Sequence, residues 1–339
     1  MRKLRLLLFP FAGVYYLVTL TRNKLFNAGI LSSKKYDLPV ICIGNLSVGG
    51  TGKSPMTEYV IRLLQAHKRV ATVSRGYGRT TKGYRDVLPT SLATEVGDEP
   101  LQFAQKFDAI NVAVCEDRQA GISRLLGKEN IPEVILLDDA YQHRKVTPGF
   151  SILLTAYGDL YSNDYLLPAG NLREPRSGAS RADVVVVTKC PSQLSKVEQE
   201  NIIRELKTTA AQEVFFTKIA YDDCVYGANG NVQLHSLKVH NVTLVTGIAN
   251  PEPLVNYLTS DGLSFNHKSY GDHHNFSASE IVELEKLDCI LTTEKDYVRL
   301  RPLLTMRHLY YLPIKVAFLN HSENFDRRIT HFINAYNVK

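Results

Sequence analysis

The sequence predicts an α/β protein, with a doubly wound, mainly parallel sheet followed by a second, smaller α/β unit. Three observations carry this. Continuous apolar runs such as EVILLDDA (133–140), FSILLTA (150–156) and ADVVVVTK (182–189) alternate with helical patterns, as in a parallel sheet covered on both faces. A glycine-rich turn, SVGGTGKS (47–54), falls directly between a predicted strand and a predicted helix. The length, 339 residues, exceeds the ~250–300 residues that one core usually serves.

The elements follow in order. LPVICIGNL (38–46) reads as a buried strand, and a helix runs from about Pro55 to His67 after the glycine-rich turn. RVATVSR (69–75) is the next strand and enters the turn Gly76-Tyr77-Gly78. The pattern is helical from Asp98 to Phe107, INVAVCE (110–116) is a strand, and Asp117 caps the helix after it. The three apolar strands above close the first series. Around 210–235 the rhythm changes to EVFFTKIAYDD and the turn GANGN. A new series begins at NVTLVTGIA (241–249), with a helix near 251–259, a strand near 263–268, a helix near 277–287, the strand DCILTT (288–293) and a terminal helix near 322–336. HLYYLPIKVAF (308–318) is strand-like and a candidate partner for 213–221. The chain thus divides into an N-terminal segment (1–36), a first α/β domain (37–212), a connection (213–235) and a C-terminal α/β domain (236–339).

Composition narrows the class. With 44% hydrophobic and 22% charged residues the chain is globular rather than disordered. Five widely spaced cysteines without CxxC suggest neither a disulfide framework nor a zinc ribbon. The net charge of +6 is concentrated at one end: seven basic residues precede the first acidic one, Asp37, leaving 33 basic against 34 acidic residues from Asp37 onward. A nucleic-acid-binding body would spread its Lys and Arg along a face, so nucleic acid is not the expected partner. Within the basic end, the run from Leu6 to Leu20 has no signal-peptide cleavage site and is too short, and too interrupted by Pro10 and Gly13, to span a bilayer. It fits a helix lying in the membrane interface, or a first helix capping the protein's own core.

The glycine-rich turn carries the chemistry. A phosphate-binding loop needs glycines so that backbone N–H groups converge on phosphates, a Lys for the β- and γ-charges and a hydroxyl for Mg²⁺. Ser47, Val48, Gly49, Gly50, Thr51, Gly52, Lys53 and Ser54 supply each part, although Ser47 stands where the strict motif has its first Gly. The acidic partner expected at the end of an apolar strand is Asp138 with Asp139, both candidate Mg²⁺ ligands together with Ser54. GTP would call for an N/TKxD motif, which Thr188-Lys189-Cys190-Pro191 lacks, so ATP is the expected nucleotide.

Seven blocks, in order, resemble the tetraacyldisaccharide 4′-kinase family of lipid A biosynthesis: GNLSVGGTGKSP (44–55), SRGYGR (74–79), VGDEP (96–100), LLDDAYQH (136–143), LPAGNLREP (168–176), YGDHHNFS (270–277) and TTEKDYVRL (292–300). The resemblance implies transfer of a phosphoryl group from ATP to the 4′-hydroxyl of a tetraacylated glucosamine disaccharide 1-phosphate, at the cytoplasmic face of the bacterial inner membrane. It also implies that the N-terminus docks on the membrane, and it suggests no obligate protein partner. A competing reading is a soluble P-loop ATPase or switch protein acting on a protein partner.

Within the matched blocks, Asp98 corresponds to the family's catalytic Asp, with His273 as its partner from the second domain. Taken alone, Asp98 also reads as a helix N-cap and His273 as a surface histidine. Glu99 is a further candidate for the Mg²⁺ shell. Arg75, Tyr77, Arg79, Gln142, His143, Asn171 and Arg173 are candidate substrate or nucleotide contacts, the arginines because guanidinium groups suit phosphate. Asn171 stands where the family has Pro.

Overall fold

The computed structural model describes residues 5–272 and 274–336. Helix α1 (Phe9–Asn27) precedes the first sheet. The first unit then contains β1 (Val40–Asn45), α2 (Lys53–Leu64), β2 (Val70–Ser74), β3 (Arg85–Asp86), α3 (Ala93–Val96), α4 (Asp98–Lys106), β4 (Asn111–Val114), α5 (Arg118–Leu126), β5 (Val134–Asp138), β6 (Phe150–Ala156), β7 (Val184–Thr188), α6 (Lys196–Leu206) and β8 (Glu213–Tyr221). The second unit contains β9 (Cys224–Gly227), β10 (Gly230–Gln233), β11 (Val242–Thr246), α7 (Glu252–Ser260), β12 (Phe265–Ser269), α8 (Ala278–Leu284), β13 (Cys289–Thr292), α9 (Glu294–Leu300) and β14 (Leu309–Tyr311). Two last elements, β15 (Ile314–Phe318) and α10 (Ser322–Asn334), return to the first.

The large sheet has the order β15-β8-β7-β6-β1-β5-β2-β4-β3 and is parallel except at its two edges. Its central strands are apolar on both faces because both are covered: Cys42, Leu137 and Val185 pack into one core, and Ile41, Leu136 and Val184 into the other. The small sheet has the order β10-β9-β14-β13-β11-β12, parallel from β14 to β12.

The predicted strand 308–318 is two strands. Pro313 has no N–H to give to a ladder, and the chain changes sheets there: Leu309–Tyr311 pair with β13 and β9, while Ile314–Phe318 pair antiparallel with Tyr221–Thr217 of β8. The terminal helix, grouped by sequence rhythm with the second unit at 236–339, instead buries Phe325, Ile329 and Ile333 in the first unit's core. The hairpin β9–β10, from the segment read as a connection, belongs to the second sheet. Helices α6 and α9 are not singled out by the sequence pattern.

Candidate active site

Parallel strands end together, and loops at their carboxyl ends form the site. Asp138 closes β5 opposite Ile43 of β1, so the glycine-rich loop that leaves β1 and the acidic pair that leaves β5 are neighbours. Gly52 caps α2 at φ 81°, a left-handed conformation that a side chain would strain. Ser47 needs no such freedom, because it forms a short bridge to Leu172; this is why the loop tolerates serine where the strict motif has glycine. Three further contacts pin the loop: the Val48 N–H donates to Asn171 O at 2.8 Å, Asn45 Nδ2 to Thr51 Oγ1 at 2.7 Å, and Thr188 Oγ1 to Thr51 O at 2.9 Å.

Lys53 and Ser54 open α2 and face three carboxylates. Lys53 Nζ lies 3.9 Å from Asp139 Oδ2. Ser54 Oγ donates to Glu99 Oε1 at 2.7 Å, and Thr57 Oγ1 to Asp138 Oδ1 at 2.9 Å. Asp138 is 1% exposed. Burial, reinforced by the charges of Glu99 and Asp139, pushes its carboxyl up to about 7. Burial acts the same way on the other two but loses to nearby cations: Lys53 and Arg173 hold Asp139 below the ordinary carboxylate range, and Lys295 holds Glu99 there. Two carboxylates are thus ionised beside a third that is poised, an all-oxygen set suited to a hard divalent cation.

Asp98 and Glu99 begin α4, where the helix dipole favours acids. Gly97 makes this placement possible: a Cβ there would lie 3.0 Å from Tyr77 O, so the SRGYGR turn and the start of α4 touch backbone to backbone. Helix α9 of the second unit lies across α4 with its charges in opposite order. Arg299 pairs with Asp98, Lys295 with Glu99 at 2.7 Å, and Glu294 with Lys106. His273, proposed from sequence as the partner of Asp98, lies outside the described residues. Its neighbour His274 engages Glu280 at 3.1 Å and stacks on Tyr270.

The remaining candidates divide. Arg173 reaches the acidic pair directly, donating from Nη2 to Asp139 Oδ1 at 2.7 Å. Arg75 follows β2 and Tyr77 lies just beyond it, both exposed at the rim. Arg79 is committed to Glu116 at 2.9 Å and to Gly83 O at 2.8 Å. Gln142 joins Asn45 O to the buried Glu174, at 2.8 and 2.9 Å. His143 is held neutral, since burial and the charge of Arg118 push its pKa down to about 4, and its Nε2 accepts the Arg118 N–H at 3.3 Å. Asn171 accepts from Arg5 Nη1 at 2.8 Å and links the N-terminal segment to the phosphate loop.

Four residues escaped the sequence reading. Arg118, 3% exposed, carries its charge beside Asp138 and Asp139, and its buried Nε has no hydrogen-bond partner among the described residues. Its only signal was its place directly after the helix cap Asp117. Lys189, left-handed at φ 58°, brings Nζ over Gly50 and shares that space with Lys53 and Lys295. Lys295 and Arg299 lie in a quoted motif, TTEKDYVRL, but far along the chain from the groups they touch.

A family model for tetraacyldisaccharide-1-P 4′-kinase matches residues 4–334. The chain belongs to the tetraacyldisaccharide-1-P 4′-kinase family. It is 50% identical over 336 residues to the tetraacyldisaccharide 4′-kinase of Flavobacterium johnsoniae, covering 98% of both chains, and 49% identical to that of Flavobacterium psychrophilum, covering 99% of this chain and 98% of the relative. A crystal structure of LpxK from Aquifex aeolicus in complex with ATP superimposes with a TM-score of 0.81 at 31% identity, covering 97% of this chain and 99% of that one. This tetraacyldisaccharide 4′-kinase is therefore an ATP-dependent enzyme of lipid A biosynthesis, and the kinase reading prevails over the switch-protein reading.

Proposed function

We propose a division of labour for this kinase, carried by one observation: Lys53 and Ser54 at the start of α2 face Asp138, Asp139 and Glu99 across a pinned glycine-rich loop. Lys53 and the N–H groups of the loop hold the β- and γ-phosphates of ATP, with Lys189 and Lys295 adding positive charge above Gly50. Ser54, Asp138, Asp139 and Glu99 hold Mg²⁺. Bound Mg²⁺ and ATP supply the phosphoryl group and neutralise the charge that spreads over it during transfer. Asp98 accepts the proton of the attacking 4′-hydroxyl, with Arg299 positioning its carboxylate and His273 as a second partner. The buried Nε of Arg118, without a hydrogen-bond partner among the described residues, supplies a donor beside the same phosphates. Arg75, at the exposed rim, suits the acceptor's 1-phosphate.

The acceptor is a lipid, and α1 supports delivery from a membrane surface. Its polar face docks inward: Tyr15 Oη donates to Arg173 O at 2.8 Å, Arg22 to Gln142 O at 2.9 Å, and Asn23 to Glu174 at 3.0 Å. Its outward face presents Phe11, Val14, Leu17 and Val18, each at least 60% exposed. That is the reverse of a helix capping its own core. Among the described residues no helix is long and apolar enough to cross a membrane. Peripheral attachment at the cytoplasmic face of the inner membrane is the reading this favours.

The test is transfer of labelled γ-phosphate from ATP to tetraacyldisaccharide 1-phosphate, with Mg²⁺ varied and vesicles present or absent. Transfer that survives loss of both Lys53 and Asp138 would remove these roles.

A further inference from the structure

At the end of the small sheet away from the kinase site, three side chains of metal-binding type converge. Asp288 and His308 directly precede β13 and β14, and His240 lies two residues before β11; the register of these neighbouring strands sets Val242 opposite Cys289 and Ile290 opposite Leu309. The three entrances are therefore held side by side by main-chain ladders, a rigid footing for a site. One ligand atom from each residue lies within 4.8 Å of the other two. His240 Nδ1 and Asp288 Oδ2 are 3.6 Å apart. That is beyond hydrogen-bond range, and close to the roughly 3.3 Å separating two donors bound at about 2.0–2.1 Å on a tetrahedral ion. The imidazoles of His240 and His308 are tilted by 55° with centroids 4.9 Å apart, so the rings are not stacked on one another. The Asn241 N–H donates to Asp288 Oδ2 at 2.9 Å, fixing the carboxylate as outer-shell bonds fix metal ligands.

We propose that His240, Asp288 and His308 bind a divalent first-row transition cation of the Zn²⁺ class. Two imidazoles and one carboxylate suit such an ion and not Mg²⁺, which takes oxygen ligands. Three protein ligands leave a fourth position for water. His308 is partly exposed, so side-chain rotation closes the remaining distance without moving the strands. The ion joins three strand entrances and stabilises the second unit by mass action. The described residues of this unit that the proposed mechanism uses, Lys295 and Arg299, follow the opposite end of β13, so turnover does not depend on the ion.

The experiment uses untagged, metal-free full-length protein titrated with Zn²⁺ against a chromophoric chelator, and with Co²⁺ as a spectroscopic probe. The expected result is one ion per chain at micromolar or tighter affinity, tetrahedral Co²⁺ bands and a Zn²⁺-dependent rise in Tm, all insensitive to excess Mg²⁺. His240→Ala and His308→Ala should each weaken binding by at least about tenfold and erase the bands while kinase activity is retained. His308→Gln, closer in volume, gives the same reading if alanine impairs folding. Absence of uptake at micromolar Zn²⁺, or unchanged affinity and spectrum in the double variant, overturns the site.

Discussion

Arg299 donates to a single oxygen of Asp98, Oδ2, from Nε at 3.1 Å and also from Nη2, and so ties the second unit to the first residue of α4. If this fork sets the position of the proton acceptor, Arg299→Ala should lower kcat on the order of 10–100-fold, the cost of misplacing a reacting group by about an ångström. The KM for ATP should barely move if the phosphates rest on residues 47–54, as proposed. Asp98→Ala should cost roughly 10²–10⁴-fold. The double variant should be little worse than Asp98→Ala alone, since the two act as one unit. Steady-state kinetics on the four proteins decides this, and fully multiplicative losses would separate their roles.

Lys53→Ala removes the loop's own cation, which faces Asp139, and should abolish most transfer, by about 10³-fold or more if it stabilises charge in the transition state. Circular dichroism should be unchanged, since Lys53 is at a helix start and not in a core. Turnover near normal would show that the loop holds no phosphate.

The raised carboxyl of Asp138 makes stability depend on pH. Its carboxyl sits at about 7 in the folded protein against an ordinary 3.8. Between those values the folded state retains a proton that the unfolded chain has lost, so this group's contribution to stability falls as pH rises through that window. Asp138→Asn should therefore raise the Tm of the metal-free protein above pH 7 while weakening Mg²⁺-dependent activity. In the wild type, Mg²⁺ affinity should strengthen up to about pH 7 as the proton leaves. Melting curves and Mg²⁺ titrations across pH 5–8 test both, and a flat profile would count against a poised Asp138.

Glu58 on α2 and Glu294 on α9 are both buried and share Lys106, the former at 2.7 Å. Lys106→Met should destabilise the fold by about 3–5 kcal/mol at neutral pH, the usual cost of leaving buried charge uncompensated. The loss should shrink in mild acid, because burial and the charge of Glu58 already push Glu294 up to about 7. Denaturant titration at two pH values checks the direction.

Leu17→Glu on the outward face of α1 should reduce partition onto anionic vesicles by roughly tenfold or more, given the ~1.5–3 kcal/mol for burying a leucine. Added salt should weaken the intact protein's binding, because the N-terminal basic residues act electrostatically. Activity on detergent-dispersed acceptor should survive. Unchanged vesicle binding would remove α1 from the membrane.

The parts of this site that were legible in the sequence share a property: each is announced by its own short stretch of chain. The glycine-rich loop is recognisable from its own residues, and Asp138 is announced by the apolar strand it closes. What stayed hidden depends on contacts far along the chain. Arg299 meets Asp98 only because α9 lies on α4. The bond of Arg79 to Glu116 is likewise invisible in one dimension. The fold followed the same rule. Buried parallel strands stood out by composition, whereas the return of β15 turned on whether Pro313 would break one strand into two.

That return has a consequence for how the molecule is made. Helix α10 supplies Phe325, Ile329 and Ile333 to a core that also holds the strand beneath the phosphate loop. A ribosome delivers the chain from its amino end, so all of the second unit emerges before the first has its edge strand and last helix. The half that carries the glycine-rich loop is then the earlier begun and the later finished. Translation that stops a few turns early leaves the second unit's strands complete and strikes the half that carries that loop.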